Sequence, residues 1–219
     1  MDIISGWVTL VFLFIFSCFC MKLSHCGDTL KQGESIRDRP RYGQWVGEAQ
    51  QLVSANGIFE LGFFTPGNSN KRYVGIWYKK DPKQIVVWVA NRETPLSWDY
   101  SGSLTINPNG NLMILGGVND PNIRTRGISI SLSSVLAESN TSLRLWDCGN
   151  LVLTEGIGEG DEPRVLWQSF DHPSNTYLPG MKLGLSVIGG SSTMLTSWKS
   201  KDDPSHGDFT LGLDSSPTG

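Results

Sequence analysis

At 219 residues, 39% hydrophobic and 18% charged, the chain has material for one ordinary domain plus extra pieces. Its formal net charge of -3 and its scattered Lys and Arg, with no basic run longer than the pair Lys79-Lys80 on a solvated face, exclude the basic footprint that nucleic acid requires. The 25 Gly and 11 Pro, spread along the sequence, suit an all-β protein full of turns.

Val8 to Cys20 is an almost unbroken apolar stretch, too short to span a bilayer comfortably but fitting the apolar region of a secretory signal. Residues 1–26 are read as that signal, with Ser24 and Cys26 as the small residues before a cut at Gly27. A cut before Met21, after Cys18 and Cys20, is the alternative, and a signal-anchor is the competing reading. The product is expected to be secreted or to stand on the extracellular face of the plasma membrane. A cut after Cys26 removes three of the four cysteines and leaves Cys148 as the only thiol. Cys148 is then a buried small hydrophobe at a turn or an unpaired thiol, with no disulfide inside the domain.

Arg37 to Trp45 reads as an irregular stretch before the first strand. Beyond it lies a segment that the chain contains twice. Ser103 to Leu115 recurs as Ser142 to Thr154, and a degraded copy surrounds Asn56 to Leu61. In each clear copy two alternating apolar runs flank a turn ending in Gly, namely Pro108-Asn109-Gly110 and Asp147-Cys148-Gly149, which is hairpin patterning. Strands with a central Trp follow at Val86 to Arg92 and Val165 to Phe170. A lone hairpin is marginal in water, so the units are expected to share a core, as three small sheets about one axis with Trp88 and Trp167 inside. Gly116 to Ser139 has no Trp, and Ile128 to Leu132 is expected to supply the missing strand. Asn140-Thr141-Ser142 is an acceptor for an N-linked glycan. Past Phe170 come turns, then expected strands at Met194 to Lys199 and Asp208 to Leu213, joined by the polar stretch Ser200 to Gly207.

Nothing reads as catalytic. Of three His, His172 and His206 sit in Pro-rich turns with no Cys or carboxylate at metal-ligand spacing. Asp161-Glu162 and Asp202-Asp203 are carboxylate pairs in loops, where a solvated turn suffices. No metal and no cofactor is expected.

Phe59 to Phe64, Gly75 to Tyr78, Val87 to Arg92, Leu166 to Phe170, Leu178 to Lys182, Thr196 to Ser200, Asp202 to Pro204 and Gly207 to Phe209 together resemble the extracellular region of plant S-domain receptor-like kinases. The resemblance implies an all-β, bulb-type (mannose-binding) lectin domain over residues 27–170, a β-prism II with threefold pseudo-symmetry. It also implies the start of a β-rich S-locus glycoprotein domain over 171–219. The kinase signatures of such relatives are missing from this chain.

That lectin family reads mannose with a Gln-x-Asp-x-Asn-x-Val-x-Tyr strand, whose alternate residues point one way toward neighbouring sugar hydroxyls. The first clear copy holds Asn107, Asn109, Asn111, Met113 and Leu115 at the five places. The second holds Trp146, Cys148, Asn150, Val152 and Thr154, and the degraded copy holds Ser54, Asn56, Ile58, Glu60 and Gly62. A lost partner group costs about 1–3 kcal/mol, against about 4 kcal/mol for a millimolar site. Asn107, Asn109 and Asn111 are therefore the one surviving carbohydrate-binding candidate, with plain turn chemistry as the competing role. Two functions stay open: a module that binds a mannose-type glycan, and an ectodomain on a lectin scaffold that binds a protein or peptide, or forms homo- or hetero-oligomers with receptor kinases.

Overall fold

Short runs of alternating apolar and polar residues, broken by Gly, Asn, Asp and Pro, dictate short antiparallel strands. A computed structural model describes residues 27–38, 50–97, 102–116, 128–135, 140–156, 162–185 and 192–212. The apolar leader, both of its cleavage sites, most of the Arg37 to Trp45 stretch and Asp161 lie outside these. The first strands are β1 (Thr29–Lys31), β2 (Ser35–Arg37), β3 (Leu52–Val53), β4 (Phe59–Phe64), β5 (Lys71–Tyr78), β6 (Val86–Val89) and β7 (Leu96–Ser97). Then come β8 (Gly102–Ile106), β9 (Leu112–Gly116), β10 (Ile128–Ser131), β11 (Thr141–Leu145), β12 (Leu151–Glu155) and β13 (Arg164–Gln168). Two more hairpins pair β14 (Gly184–Leu185) with β15 (Ser192–Thr193), and β16 (Leu195–Ser200) with β17 (Asp203–Leu211). The all-β expectation holds.

Three antiparallel sheets carry the fold. The first runs β3-β4-β5-β6 with β7 also on β5, the second β2-β8-β9-β10, and the third β1-β11-β12-β13. Each lends its inward residues to a single core: Leu61, Ile76 and Trp88 from the first, Leu104, Ile106 and Ile114 from the second, Leu143, Leu153 and Trp167 from the third. Full burial of such a side chain is worth about 1.5–3 kcal/mol. Trp88 and Trp167 meet edge to face with ring centroids 6.0 Å apart, and they are 2% and 9% exposed, as the sequence led us to expect. The core continues past Phe170, because Leu178 and Met181 are buried in it.

One hydrogen-bond plan recurs in all three sheets. The amides of Val74, Leu112 and Leu151 donate over 2.9 Å to Asn91 Oδ1, Ser133 Oγ and Ser169 Oγ. Two residues further along, Ile76, Ile114 and Leu153 face Trp88, Ile130 and Trp167. Ile130 thus takes the place of a Trp on β10, as Ile128 to Leu132 was expected to do.

This register corrects the reading of the degraded copy. Asn56-Gly57 turns the chain from β3 into β4, whereas the hairpin equivalent to the two clear copies is β4–β5. Its connection, residues 65–70, is longer, and its Gly67-Asn68 pair stands two residues short of β5 instead of directly before the strand as Gly110-Asn111 and Gly149-Asn150 do, so the shared architecture left little trace in the residues there.

The first sheet is buried on its second face too. Phe64, Tyr73, Trp77 and Val89 form an outer cluster against Trp198 of β16, whose ring stacks on Phe64 at 6.4 Å. Gly75 lies between them because a Cβ there would be 2.6 Å from the Phe64 ring and 2.9 Å from the Trp88 carbonyl. Arg92 clamps the β16–β17 hairpin, donating from Nε to Pro204 O (2.8 Å) and from Nη2 to Thr196 O (3.1 Å) and Ser197 O (3.0 Å). Burial pushes this guanidinium below its usual pKa. Ser174 bridges the same junction, its hydroxyl accepting from Val89 N at 3.0 Å and its carbonyl from Thr196 N at 2.8 Å. The hairpin also departs from expectation: β17 begins at Asp203, so only Lys201-Asp202 separates the strands, not Ser200 to Gly207. The polar residues that suggested a loop lie along a largely exposed strand, where polarity is compatible with pairing.

Candidate functional site

On each sheet, the strand after the hairpin turn displays one row of alternate residues away from the core. Register makes three rows equivalent: Asn111, Met113 and Leu115 on the second sheet; Asn150, Val152 and Thr154 on the third; Tyr73, Gly75 and Trp77 on the first. These are the places at which the mannose-reading pattern would put its Asn, Val and Tyr. Each row has its own environment.

On the second sheet the turn is built by Asn107. Its Oδ1 accepts from the amides of Asn109 and Asn111, both at 2.9 Å, while its Nδ2 approaches Met113 Sδ at 3.2 Å. Gly110 closes the turn at φ +78 and donates to Asn107 O over 2.9 Å. The Asn111 carboxamide oxygen accepts from Val135 N at 2.7 Å and lies 3.5 Å from Ser133 Oγ, so it braces the chain leaving β10. Asn107 and Asn111 are half-buried, and Asn109 is exposed at the tip. The three candidates are thus adjacent, but two of their carboxamide oxygens are engaged by backbone amides. Asn111→Ala is expected to cost about 1–2 kcal/mol, read by urea denaturation, because it orphans the Val135 amide.

Asn150 does the equivalent work on the third sheet. Its Oδ1 accepts from Ser169 Oγ and Phe170 N, both at 3.2 Å, and its Nδ2 donates to Gln168 Oε1 at 2.9 Å. Val152 is only 2% exposed. Trp146 holds the first position of this row with Arg144 over its ring at 5.9 Å. Cys148, at the second position, is disulfide-bonded. This corrects the sequence reading, which had it as a buried thiol or a free one. Residue type alone could not reveal the bond.

The first sheet's row was missed from sequence, since no Asn marks it and the turn before it is irregular. The pairing of Ile76 with Trp88 was the signal that could have found it. It lies under the hairpin: Tyr73 is 0% exposed, and the Trp77 indole donates to Glu60 Oε2 at 3.0 Å. The Tyr73 hydroxyl is buried without a hydrogen-bond partner. Its pKa is pushed up to about 12, first by burial and then by the carboxylates of Asp203 and Glu93. Because the folded value lies above the unfolded one of about 10, the tyrosine's contribution is intact below pH 10 and lost between pH 10 and 12. Tyr73→Phe should therefore flatten the fall in stability over that window without lowering the Tm at neutral pH, as read by thermal melts across pH.

Among the described residues no group of His, Cys, Asp and Glu could hold a metal ion, and no helix is long and apolar enough to cross a membrane. Asn140 is exposed in a left-handed conformation at φ +54, directly before β11.

A family model described as D-mannose binding lectin matches residues 85–199. The chain is also 40% identical, over 90% of its length, to the G-type lectin S-receptor-like serine/threonine-protein kinase B120 of Arabidopsis thaliana, of which it covers 21%. It is 40% identical over 97% of its length to CES101, another G-type lectin S-receptor-like serine/threonine-protein kinase of that plant, of which it covers 23%. The chain thus spans between a fifth and a quarter of the length of these relatives.

Proposed function

Since the chain belongs to the D-mannose binding lectin family, we propose that it is an extracellular recognition module of the receptor-like kinase type, and that its lectin scaffold serves protein or peptide recognition rather than mannose reading. The observation that carries this reading is the burial of the Tyr73, Gly75 and Trp77 row beneath the chain's own β16–β17 hairpin. A sugar cannot reach hydroxyl-reading groups that are already packed under Trp198. The third row supports the same reading, with a disulfide and Trp146 where the mannose pattern needs Asp and Gln. The equivalent rows also fit closure of the three sheets into a threefold prism. A glycan on Asn140 fits the extracellular setting, and peptide-N-glycosidase is expected to lower the mass of the secreted protein by one glycan, with no change in Asn140→Gln.

A glycan array probed with the secreted protein tests this reading. We expect no signal on mannose-type glycans and retention of a protein or peptide partner, or of a second receptor copy, on the same immobilised material. Specific mannose binding would overturn it. The second reading, one weak sugar site, rests on the half-buried Asn107 and Asn111 and the exposed Asn109 between them. It expects mannose binding that Asn109→Ala abolishes while leaving the fold intact, since Asn109 projects from the turn and its side chain braces nothing.

A further inference from the structure

The chain contains two Asn-Gly pairs, Asn56-Gly57 and Asn109-Gly110. With no side chain on the second residue, its amide nitrogen meets little hindrance in approaching the carboxamide carbon of the first, and a five-membered imide closes readily. The two turns hold their glycines alike. Gly57 stands at φ +64 and donates to Ser54 O over 2.8 Å, while Gly110 stands at φ +78 and donates to Asn107 O over 2.9 Å. The attacking nitrogen is thus restrained to the same degree in both. The carboxamides differ. Asp147 accepts from the Asn56 amide at 2.9 Å and from its Nδ2 at 2.7 Å. This grip fixes the side chain and sets a carboxylate beside the atoms where attack would build negative charge. Asn109 is exposed, and among the described residues nothing bonds its carboxamide.

We infer that Asn109 is a self-modifying site that deamidates through Gly110, while Asp147 protects Asn56. The Gly110 nitrogen gives its proton to water and attacks Asn109 Cγ. The bond from Cγ to Nδ2 then breaks, and ammonia leaves with a proton taken from solvent. Water opens the cyclic imide at either carbonyl. Breaking the new bond at Cγ leaves aspartate, and breaking the original peptide bond leaves isoaspartate, whose main chain is one carbon longer. Either product places a new negative charge at the tip of the β8–β9 turn. That tip belongs to the row that neither the β16–β17 hairpin nor the disulfide occupies, so the change alters the charge of that row whichever ligand it serves. Asn107 acts as the brake. Its Oδ1 holds the amides of Asn109 and Asn111, and the turn must loosen before Gly110 N is free to attack.

The test ages the whole secreted chain in heavy-oxygen water at mildly alkaline pH and follows the tryptic peptides that carry Asn109 and Asn56 by mass spectrometry. Asn109 should convert to aspartate and isoaspartate with one heavy oxygen incorporated, at least tenfold faster than Asn56. In urea, where both turns are lost, the two should convert at similar rates. Asn107→Ala should speed the reaction at Asn109 roughly fivefold, the factor that one lost hydrogen bond gives an opening equilibrium. Asp147→Ala should speed it at Asn56 alone. An Asn109 that stays intact, an Asn56 that converts as fast, or a tenfold gap that persists in urea would each overturn the assignment. If either variant fails to fold, the two rates in the unmutated chain, folded and in urea, decide alone.

Discussion

Trp88→Ala is expected to cost about 4 kcal/mol and to lower the Tm by roughly 8–16 °C. Its indole is 2% exposed, meets Trp167 edge to face, and donates from Nε1 to His172 O over 2.7 Å. Removing it opens a cavity between the first and third sheets and orphans a carbonyl in the turn that leaves β13. Trp88→Phe refills most of the volume but cannot donate, so it should recover more than half of the loss. Ile130→Ala, at the equivalent place in the second sheet, should cost less, because Ile130 is only partly buried at the edge of the same core. Differential scanning calorimetry of the three variants checks this order. Equal losses for Trp88→Ala and Ile130→Ala would mean that the three sheets do not share the core as described.

Arg92→Ala is expected to cost about 3 kcal/mol, since three hairpin carbonyls lose a charged donor at once and a buried side chain leaves a void. The loss should be local before it is global. Trypsin should cut at Lys199 and Lys201 far sooner than in the parent, and Trp198 should lose its stacked environment on Phe64. Arg92→Lys keeps the charge but has one ammonium for three divergent acceptors, so its loss should fall between the two. Unchanged proteolysis in Arg92→Ala would mean that Trp198 and Ser174 hold the hairpin without the guanidinium.

These two residues also mark what could be read from the sequence. Trp88 and Trp167 were legible as core because they stand centrally in alternating strands, and strand period alone predicts their facing. Ile130 was legible for the same reason, despite the change of residue. Arg92 was visible as part of a recognisable motif, but its partners lie more than a hundred residues away on a hairpin whose second strand looked like a loop. The outer strands β1 and β2 were invisible. Three residues each, they gain their identity only by pairing with β11 and β8 across the chain.

The candidate site was half legible. Asn107, Asn109 and Asn111 were found from spacing, which cannot distinguish a carboxamide aimed at a ligand from one that caps its own turn. The structure separates these roles: Asn107 caps the turn, Asn111 braces the exit of β10, and Asn109 projects. The first sheet's row escaped because no Asn marks it: its residues are Tyr73, Gly75 and Trp77, and the two aromatics pack with Trp198 of the covering hairpin. Residue type differs there while register is shared.

The most direct test of the account is a two-dimensional amide NMR titration of the labelled protein with methyl mannoside. Resonances of Tyr73 to Trp77 and Asn150 to Thr154 should not move at any concentration, and any response should be confined to Asn107 to Leu115. Saturable shifts at Trp77 or Val152 would mean that those faces open to sugar, contradicting the claim that the protein has spent them on its own packing.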